Sequence, residues 1–403
     1  MKQPLILKLC IVYIIAIFIP AEFNFYLGNI RLEPYRVVLI VLFVLWFSFP
    51  RIKYTKIEIA LFYYCVVSFL GFMYAYGMRG LEPGLILFLE VFLSFIIGRS
   101  AVRNSLDLEK VVKLLAILFV VLAPFAIMES MSGYRFTHIV AARVMGTGVI
   151  ENLGEGYFRY GVHRASTIFS HPILYSICTA MLVPLVFVTF KKFRLTLYSS
   201  GLFVAIVTSM SSVGFLMIII QSLFWTVEHI SFKFKGIKKL IVIFSLFSFV
   251  LISLISNRGP VKLFISLVSL NQETAYMRYL QWQFSIDDIV SSPWVGIGFN
   301  EWTRPYWMQS SIDNYWLNTA LVSGVPAIIL LFLFFTFCTQ RLYHIWNKTK
   351  NPLVFSFFLS LVSVIFAGFT VDFFDRAQLF IFLGIGMFIG YSENTFKQES
   401  ASN

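Results

Sequence analysis

Charged residues are scarce in this chain: Asp, Glu, Lys and Arg together make up 13% of its 403 residues. Soluble globular domains carry about twice that fraction, and 59% apolar residues with 46 Phe exclude the chain from that class. Cysteine is nearly absent. The four that occur, Cys10, Cys65, Cys178 and Cys338, all fall inside apolar runs and offer neither a disulfide framework nor a CxxC metal motif. There is no internal repeat and no low-complexity linker. The first apolar run has Lys2 and Lys8 at its start, and no small-residue cleavage site follows it. It therefore reads as an anchoring helix and not as a removed signal peptide.

What the chain does have is a dozen apolar runs of about 16–24 residues, the length that crosses a bilayer as a helix. Helical backbone satisfies its own polar groups in lipid. The runs predict spans at 5–22, 34–50, 57–76, 84–100, 111–131, 172–190, 195–210, 213–229, 240–256, 315–338, 352–371 and 377–391. The expected fold is an all-α polytopic membrane protein with about 12 transmembrane helices, a single integral membrane domain over 1–403. Two large external loops are expected at 132–171 and 257–314, and 392–403 reads as a polar, disordered cytoplasmic tail.

The formal charge of +12 invites a nucleic-acid partner, but its distribution argues against one. With twelve spans, Lys and Arg on the side of the termini number 20 against 6 acidic residues, and the opposite side has 12 against 13. That bias places both termini in the cytoplasm. Fifteen of the 16 lysines then face inward, leaving only Lys262 outside. Eleven of the 16 arginines face outward: Arg31, Arg36, Arg79, Arg135, Arg143, Arg159, Arg164, Arg258, Arg278, Arg304 and Arg376. Topology explains the lysines and leaves the arginines to be explained. Guanidinium grips phosphate in a two-pronged, permanently charged geometry that ammonium lacks. Local pairing with carboxylates is the alternative for any single arginine, whereas the set points to an anionic ligand outside the membrane.

Both long segments lie outside, and long structured loops tend to be functional. The first carries Gly146, Gly148, Gly154, Gly156 and Gly161 and closes on Arg164-Ala-Ser-Thr-Ile-Phe-Ser-His171-Pro172. Pro172 suits the first position of span six, which makes His171 the cap residue at a positive helix end. A structural cap and a catalytic base are the two readings of His171. Arg164 is close enough in sequence to share its pocket, and Glu151 or Glu155 is the alternative partner for Arg164.

In the second segment, Tyr279, Trp282, Ile286 and Ile289 form an apolar stripe at helical spacing, and Arg278, Gln281, Ser285 and Asp288 form a polar one. That helix, ended by Pro293, would lie at the outer mouth and present Arg278 to a ligand. Asp287 and Asp288 are adjacent and diverge by about 100° on a helix, so a solvated face is favoured over a metal site. Gly296-Ile-Gly298 lacks the third glycine and the strand of a dinucleotide loop. Asp313, just before span ten, is either that helix's cap or a carboxylate at the depth of a lipid-linked head group. Asp372, Asp375 and Arg376 read as a local ion-pair cluster. Glu90, alone in span four, is a partner for an outer arginine or a buried protonated acid.

At these residues the chain resembles the O-antigen ligase and Wzy polymerase superfamily of bacterial surface-polysaccharide enzymes. Arg164-Ala-Ser166-Thr-Ile-Phe169-Ser-His171-Pro172 resembles the family's Arg-x-Ser-x-x-Phe-x-His-Pro stretch. Arg278…Trp282…Pro293-x-x-Gly296-x-Gly298 resembles the segment leading to its Pro-x-x-Gly-x-Gly. Asp313-Asn314-x-x-Leu317 sits where ligases carry His-Asn-x-x-Leu, and Thr208-Ser-Met-Ser211-Ser212 lacks the arginine usual at that span end. The resemblance implies a GT-C-like, metal-independent membrane glycosyltransferase without cofactors. It would act in the bacterial inner membrane on an undecaprenyl-diphosphate-linked glycan, with membrane lipids and a chain-length regulator as further partners. It implies that Arg164 and Arg278 bind the diphosphate, that Asp313 or His171 serves the acceptor hydroxyl, and that Asn314, Trp282 and Arg304 support them. Asp in place of the ligase histidine favours a polymerase of O-antigen or exopolysaccharide repeat units over a ligase. A flippase for the same lipid-linked glycan is the competing class; transporters tend to show inverted repeats and midplane charges with short loops, whereas this chain has no repeat, Glu90 alone within a span, and its polar content in two long loops.

Overall fold

The computed structural model describes residues 3–27, 30–47, 54–148, 157–234, 236–255 and 272–402. Its helices are α1 (Gln3–Ile17), α2 (Pro34–Trp46), α3 (Lys56–Tyr76), α4 (Leu81–Leu87), α5 (Ser94–Ala101), α6 (Ser105–Ser132), α7 (Phe136–Met145), α8 (Pro172–Thr189), α9 (Lys192–Ser209), α10 (Ser212–Lys233) and α11 (Ile237–Ile255). After the second long segment begins come α12 (Gln272–Ser291), α13 (Tyr315–Ser323), α14 (Val325–Thr349), α15 (Pro352–Ala367) and α16 (Asp375–Ser402). A π-helical turn, Phe88–Leu93, joins α4 to α5. Sheet is confined, among the described residues, to two antiparallel ribbons: β1 (Phe25–Leu27) with β2 (Ile30–Leu32), and β3 (Phe158–Arg159) with β4 (Val162–His163).

Six helical stretches among the described residues are long and apolar enough to cross a membrane: Lys56–Ala101, Ser105–Ser132, Pro172–Thr189, Ser212–Lys233, Val325–Thr349 and Asp375–Ser400. The protein is an all-α membrane-embedded bundle. Lys56–Ala101 is a hairpin, because α3 and α4 pack on one another across the tight turn Gly77–Gly80. Every expected apolar run contains helix, with one correction. Run 315–338 is broken at Gly324, between α13 and α14.

Helix starts follow local chemistry. Thr55 and Glu58 form a capping box on α3, and Asn104 accepts from the Asp107 N–H on α6. The core is apolar and continuous through α1, α3, α5, α6, α8, α14, α15 and α16. Where α5 meets α16, backbones touch. A Cβ on Gly98 would lie 2.1 Å from the Leu383 carbonyl oxygen, and one on Gly386 2.1 Å from that of Phe95. Gly386 and Gly390 are thus a small-x-x-x-small seam of the kind membrane helices use to approach closely. The seam sets Arg99 of α5 against Glu393 of α16 at 2.9 Å. This pairing, with Arg341 also on Glu393, explains a second correction: the tail expected to be disordered continues α16 through Ser402.

The α13–α14 break is built by the segment after α12. The N–H groups of Ile297 and Gly298 donate to the carbonyls of Leu321 and Val322, at 2.9 and 3.1 Å, which a helix end leaves open. Gly298 has φ +66° and packs on the Tyr76 hydroxyl, whose oxygen also receives the Phe299 N–H; Phe299 stacks on Phe72 at 5.0 Å. The loop glycines are therefore a backbone dock onto α3 and α13. The segment after α12 thus docks at this end of α3, and Arg99, Glu393 and Arg341 lie towards the other, where Arg99 meets Glu58.

Candidate functional site

The segment 157–171 is held from below by two carbonyls and one carboxylate. The Ala165 N–H donates to the Thr208 carbonyl at 2.9 Å, and Arg164 Nε donates to the Ser209 carbonyl at 3.2 Å, so the turn between α9 and α10 anchors it. Glu129, 1% exposed in the last turn of α6, accepts from the N–H of Thr167 at 2.9 Å. It also accepts from the N–H and hydroxyl of Ser166, each at 3.2 Å. Arg135 donates to the Phe169 carbonyl and to His138, whose other ring nitrogen meets Glu22 at 2.7 Å. These contacts leave Arg164 and His171 little freedom. Arg159 is positioned by the β3–β4 hairpin, whose turn residues Tyr160 and Gly161 have φ +50° and +86°, the positive pair such a two-residue turn needs.

From the other side, α12 turns its polar stripe inward. Arg278, Gln281 and Ser285 are buried, whereas Ile286 of the expected apolar stripe is exposed. Leu280, Trp302, Met308 and Ile312 form a small separate core beneath the loop, on which Tyr279, Trp282 and Ile289 pack. Gln281 ties the loop to the helix. Its amide donates to the Ser311 carbonyl at 3.0 Å, and its oxygen accepts the Asp313 N–H at 2.9 Å. Asp313 is not the cap of α13: Asn314 accepts from the Leu317 N–H at 2.9 Å and donates to the Phe369 carbonyl. The Asp313 carboxyl is thereby released from capping.

The two halves meet in one electrostatic neighbourhood. Burial pushes the Asp313 carboxyl above the usual carboxylate range, and Arg278 pulls it back down. Burial lowers Arg278 as well, with Arg159 adding to the effect and Asp313 opposing it. Arg164 is lowered to about 10 by burial, then by Arg159 and Arg278. Its Nη2 is buried with no hydrogen-bond partner among the described residues. His171 is pushed down to about 3 by burial and by Arg164, Arg159 and Arg135. Its Nδ1 accepts the Ile173 N–H at 3.2 Å, so the proton of the neutral ring sits on Nε2. In this arrangement His171 is a neutral donor and helix cap. Among the described residues, three guanidinium groups thus share a desolvated neighbourhood with the Asp313 carboxylate.

Of the expected site residues, Arg164, Arg278, His171 and Asp313 come together, and the remaining three have scaffold roles. Arg304 pairs with Glu301, donates to the Met308 carbonyl at 3.1 Å and lies over the Trp302 ring. Asn314 caps α13, and Trp282 fills the small core. Arg31, Arg36, Arg135 and Arg376 each lie within 4.0 Å of a carboxylate; Glu90 is the partner of Arg36 at 2.9 Å. Glu151, Glu155, Arg258 and Lys262 lie outside the described residues.

Sequence reading missed Glu129, whose signal was an acid in the last turn of an apolar span. It also missed Asp372, grouped there with Arg376. Asp372 instead accepts from Asn318 at 2.7 Å and is pushed up to about 8 by burial, with Asp313 adding to the rise. Arg376 takes Asp375 and Glu33. No group of three or more His, Cys, Asp or Glu side chains among the described residues is placed to hold a metal ion. Comparison of the chain with protein-family models and with curated proteins gives no match.

Proposed function

We propose that the chain is a membrane glycosyltransferase of GT-C-like architecture that polymerises undecaprenyl-diphosphate-linked repeat units on the outer face of a bacterial inner membrane. Twelve spans with both termini cytoplasmic complete this reading. The observation that carries it is the convergence of Arg159, Arg164 and Arg278 beside the half-buried Asp313, with Arg164 lacking a carboxylate within 4.0 Å among the described residues. A diphosphate is the anion that such a cluster suits, because each guanidinium offers paired donors and keeps its charge.

In this mechanism the acceptor hydroxyl gives its proton to the Asp313 carboxylate. Its oxygen bonds the anomeric carbon of the donor, and the carbon–oxygen bond to the diphosphate breaks with the electron pair staying on the diphosphate. Arg164 and Arg278 stabilise that departing charge. A carboxylate raised by burial is a better base than one at its ordinary pKa of about 3.9, which suits Asp313. His171, neutral and with Nδ1 occupied, orients through Nε2–H.

The test is deletion of the protein followed by gel analysis of surface polysaccharide. A ladder collapsed to one repeat unit is expected. Accumulated, unligated polymer would instead make the chain an O-antigen ligase. An unchanged ladder would overturn the glycosyltransferase reading.

A further inference from the structure

At the end of the bundle opposite the arginine cluster, the N-terminus of α3, the second half of α14 and the far part of α16 line an open pocket of about 410 Å³. Its lining includes Lys56, Arg341 and His344; one wall is Glu393, and the half-buried Phe337 supplies apolar surface. Lys56 is exposed and pairs with no carboxylate among the described residues. The wall carboxylate is already neutralised: Arg341 Nε lies 3.4 Å from Glu393, and Arg99 Nη2 lies 2.9 Å from it on the side away from the opening. Arg99 also meets Glu58 at 2.6 Å. Its side chain is 3% exposed, and its Nη1 has no hydrogen-bond partner among the described residues. Three cations against two carboxylates leave a net positive site before His344 is counted.

We propose that this pocket binds the phosphate of an anionic phospholipid head group. Any phosphate ester would answer to Lys56 and Arg341. Two features select the lipid: the half-buried Phe337 ring beside the cations, and the position of the pocket at the ends of helices long enough to cross a membrane. Basic pockets between helices at a membrane face are recognised sites for such head groups. The Phe396 ring lies below Arg341 at 5.4 Å and beside His344 at 6.1 Å, so α16 forms the back of the site. Filling it would brace α3, α14 and α16, the helices that reach from this end to the outer segments. The proposal is independent of the glycosyl-transfer reading.

The experiment uses the full chain in nanodiscs of phosphatidylcholine, with and without phosphatidylglycerol, and reads retained lipid by native mass spectrometry alongside the thermal midpoint. One phosphatidylglycerol per chain should persist through dilution into phosphatidylcholine and raise the midpoint. Lys56→Glu should weaken that retention by about thirtyfold, since a juxtamembrane cation contributes about 1 kcal/mol and the swap reverses it. The substitution places an acid in the first turn of α3, where helices favour one, so folding is preserved. Gln340→Glu, on the pocket's other side, should weaken retention in the same direction. Equal retention in wild type and both variants overturns the proposal, as does no preference for phosphatidylglycerol over phosphatidylcholine. If millimolar inorganic phosphate raises the midpoint as much as the lipid does, the site serves a soluble phosphate and the lipid assignment falls.

Discussion

Glu129 offers the sharpest test of how the candidate site is held. Its carboxylate takes two backbone N–H groups and one hydroxyl from Ser166 and Thr167, both residues fully buried. In Glu129→Ala those two N–H groups keep their burial and lose their acceptor. A buried donor without a partner costs roughly 1–3 kcal/mol, so the pair costs roughly 2–6 kcal/mol, less any relief from no longer desolvating a carboxylate. Arg135, 4.0 Å away, loses its counter-charge too. Glu129→Gln keeps the shape and one acceptor oxygen, and should cost about half as much, roughly 1–3 kcal/mol. Ser166→Ala removes a hydroxyl that donates to Glu129 and accepts from Arg135 at 3.3 Å; Arg135 keeps the Phe169 carbonyl and His138, so the cost should fall near 1 kcal/mol. Thermal unfolding in detergent gives the order Ala, Gln, then Ser166→Ala, and limited proteolysis shows loosening within 157–171 first. Polymer should be lost in step with the loop, because Arg164 and His171 ride on it. A Glu129→Ala protein within about 1 kcal/mol of wild type, with an intact loop, would refute the clamp and its accounting.

Three further outcomes are expected. Arg164→Ala and Arg278→Ala should each abolish polymer while protein still accumulates, and the lysine variants should recover little of it; full activity in an alanine variant removes that residue from the site. Asp313→Asn should lose polymer without loss of stability, since Asn314 and not Asp313 caps α13, whereas His171→Asn, which keeps a capping side chain, should retain more activity; the reverse order reassigns the base. For Asp372 the folded pKa of about 8 lies above its ordinary value of 3.8. The folded state therefore holds the proton more tightly across that window, so this group's contribution falls as pH rises from about 4 to about 8. Asp372→Asn should flatten that fall in the thermal midpoint, and an unaltered pH profile would contradict it.

The helices were legible because lipid imposes one solution on a long apolar run, and run length survives any error in register. The break at Gly324 was not, since Leu321, Val322 and Val325 are as apolar as any span and the cause lies elsewhere in the chain. The docking of Ile297 and Gly298 onto the Leu321 and Val322 carbonyls, with the Val325 N–H donating to the Pro293 carbonyl at 2.7 Å, satisfies the backbone groups that the interruption opens. The capping of α13 failed for a related reason. Asp313 and Asn314 are both good cap residues, and a one-residue difference in helix start exchanges a structural carboxylate for a free one. The helical tail depended on Glu393 finding Arg99, a partner 294 residues away.

The arginines show where sequence reasoning about charge reaches its limit. As a set they pointed to an anionic ligand, because eleven guanidiniums against a single lysine on one expected face is a compositional signal that no single position carries. Pairing is a property of space. Arg376 meets Glu33 across 343 residues and Arg36 meets Glu90 across 54, so both leave the set for reasons no local pattern encodes. The same sorting concentrates the signal. Arg159 and Arg164 come from one clamped hairpin segment, and Arg278 comes from the inward stripe of α12, more than a hundred residues further along the chain. Bringing them together costs desolvation and mutual repulsion, which the lowered pKa of Arg164, about 10, records. Asp313 is the carboxylate that the described residues bring to this cluster, and an entering anion would relieve the repulsion among its guanidiniums. A doubly charged phosphate group should then stabilise the fold as well as occupy the site. A pyrophosphate-induced rise in the thermal midpoint that disappears in Arg164→Ala would report that occupancy directly, and no rise in wild type would remove the case for an anion there.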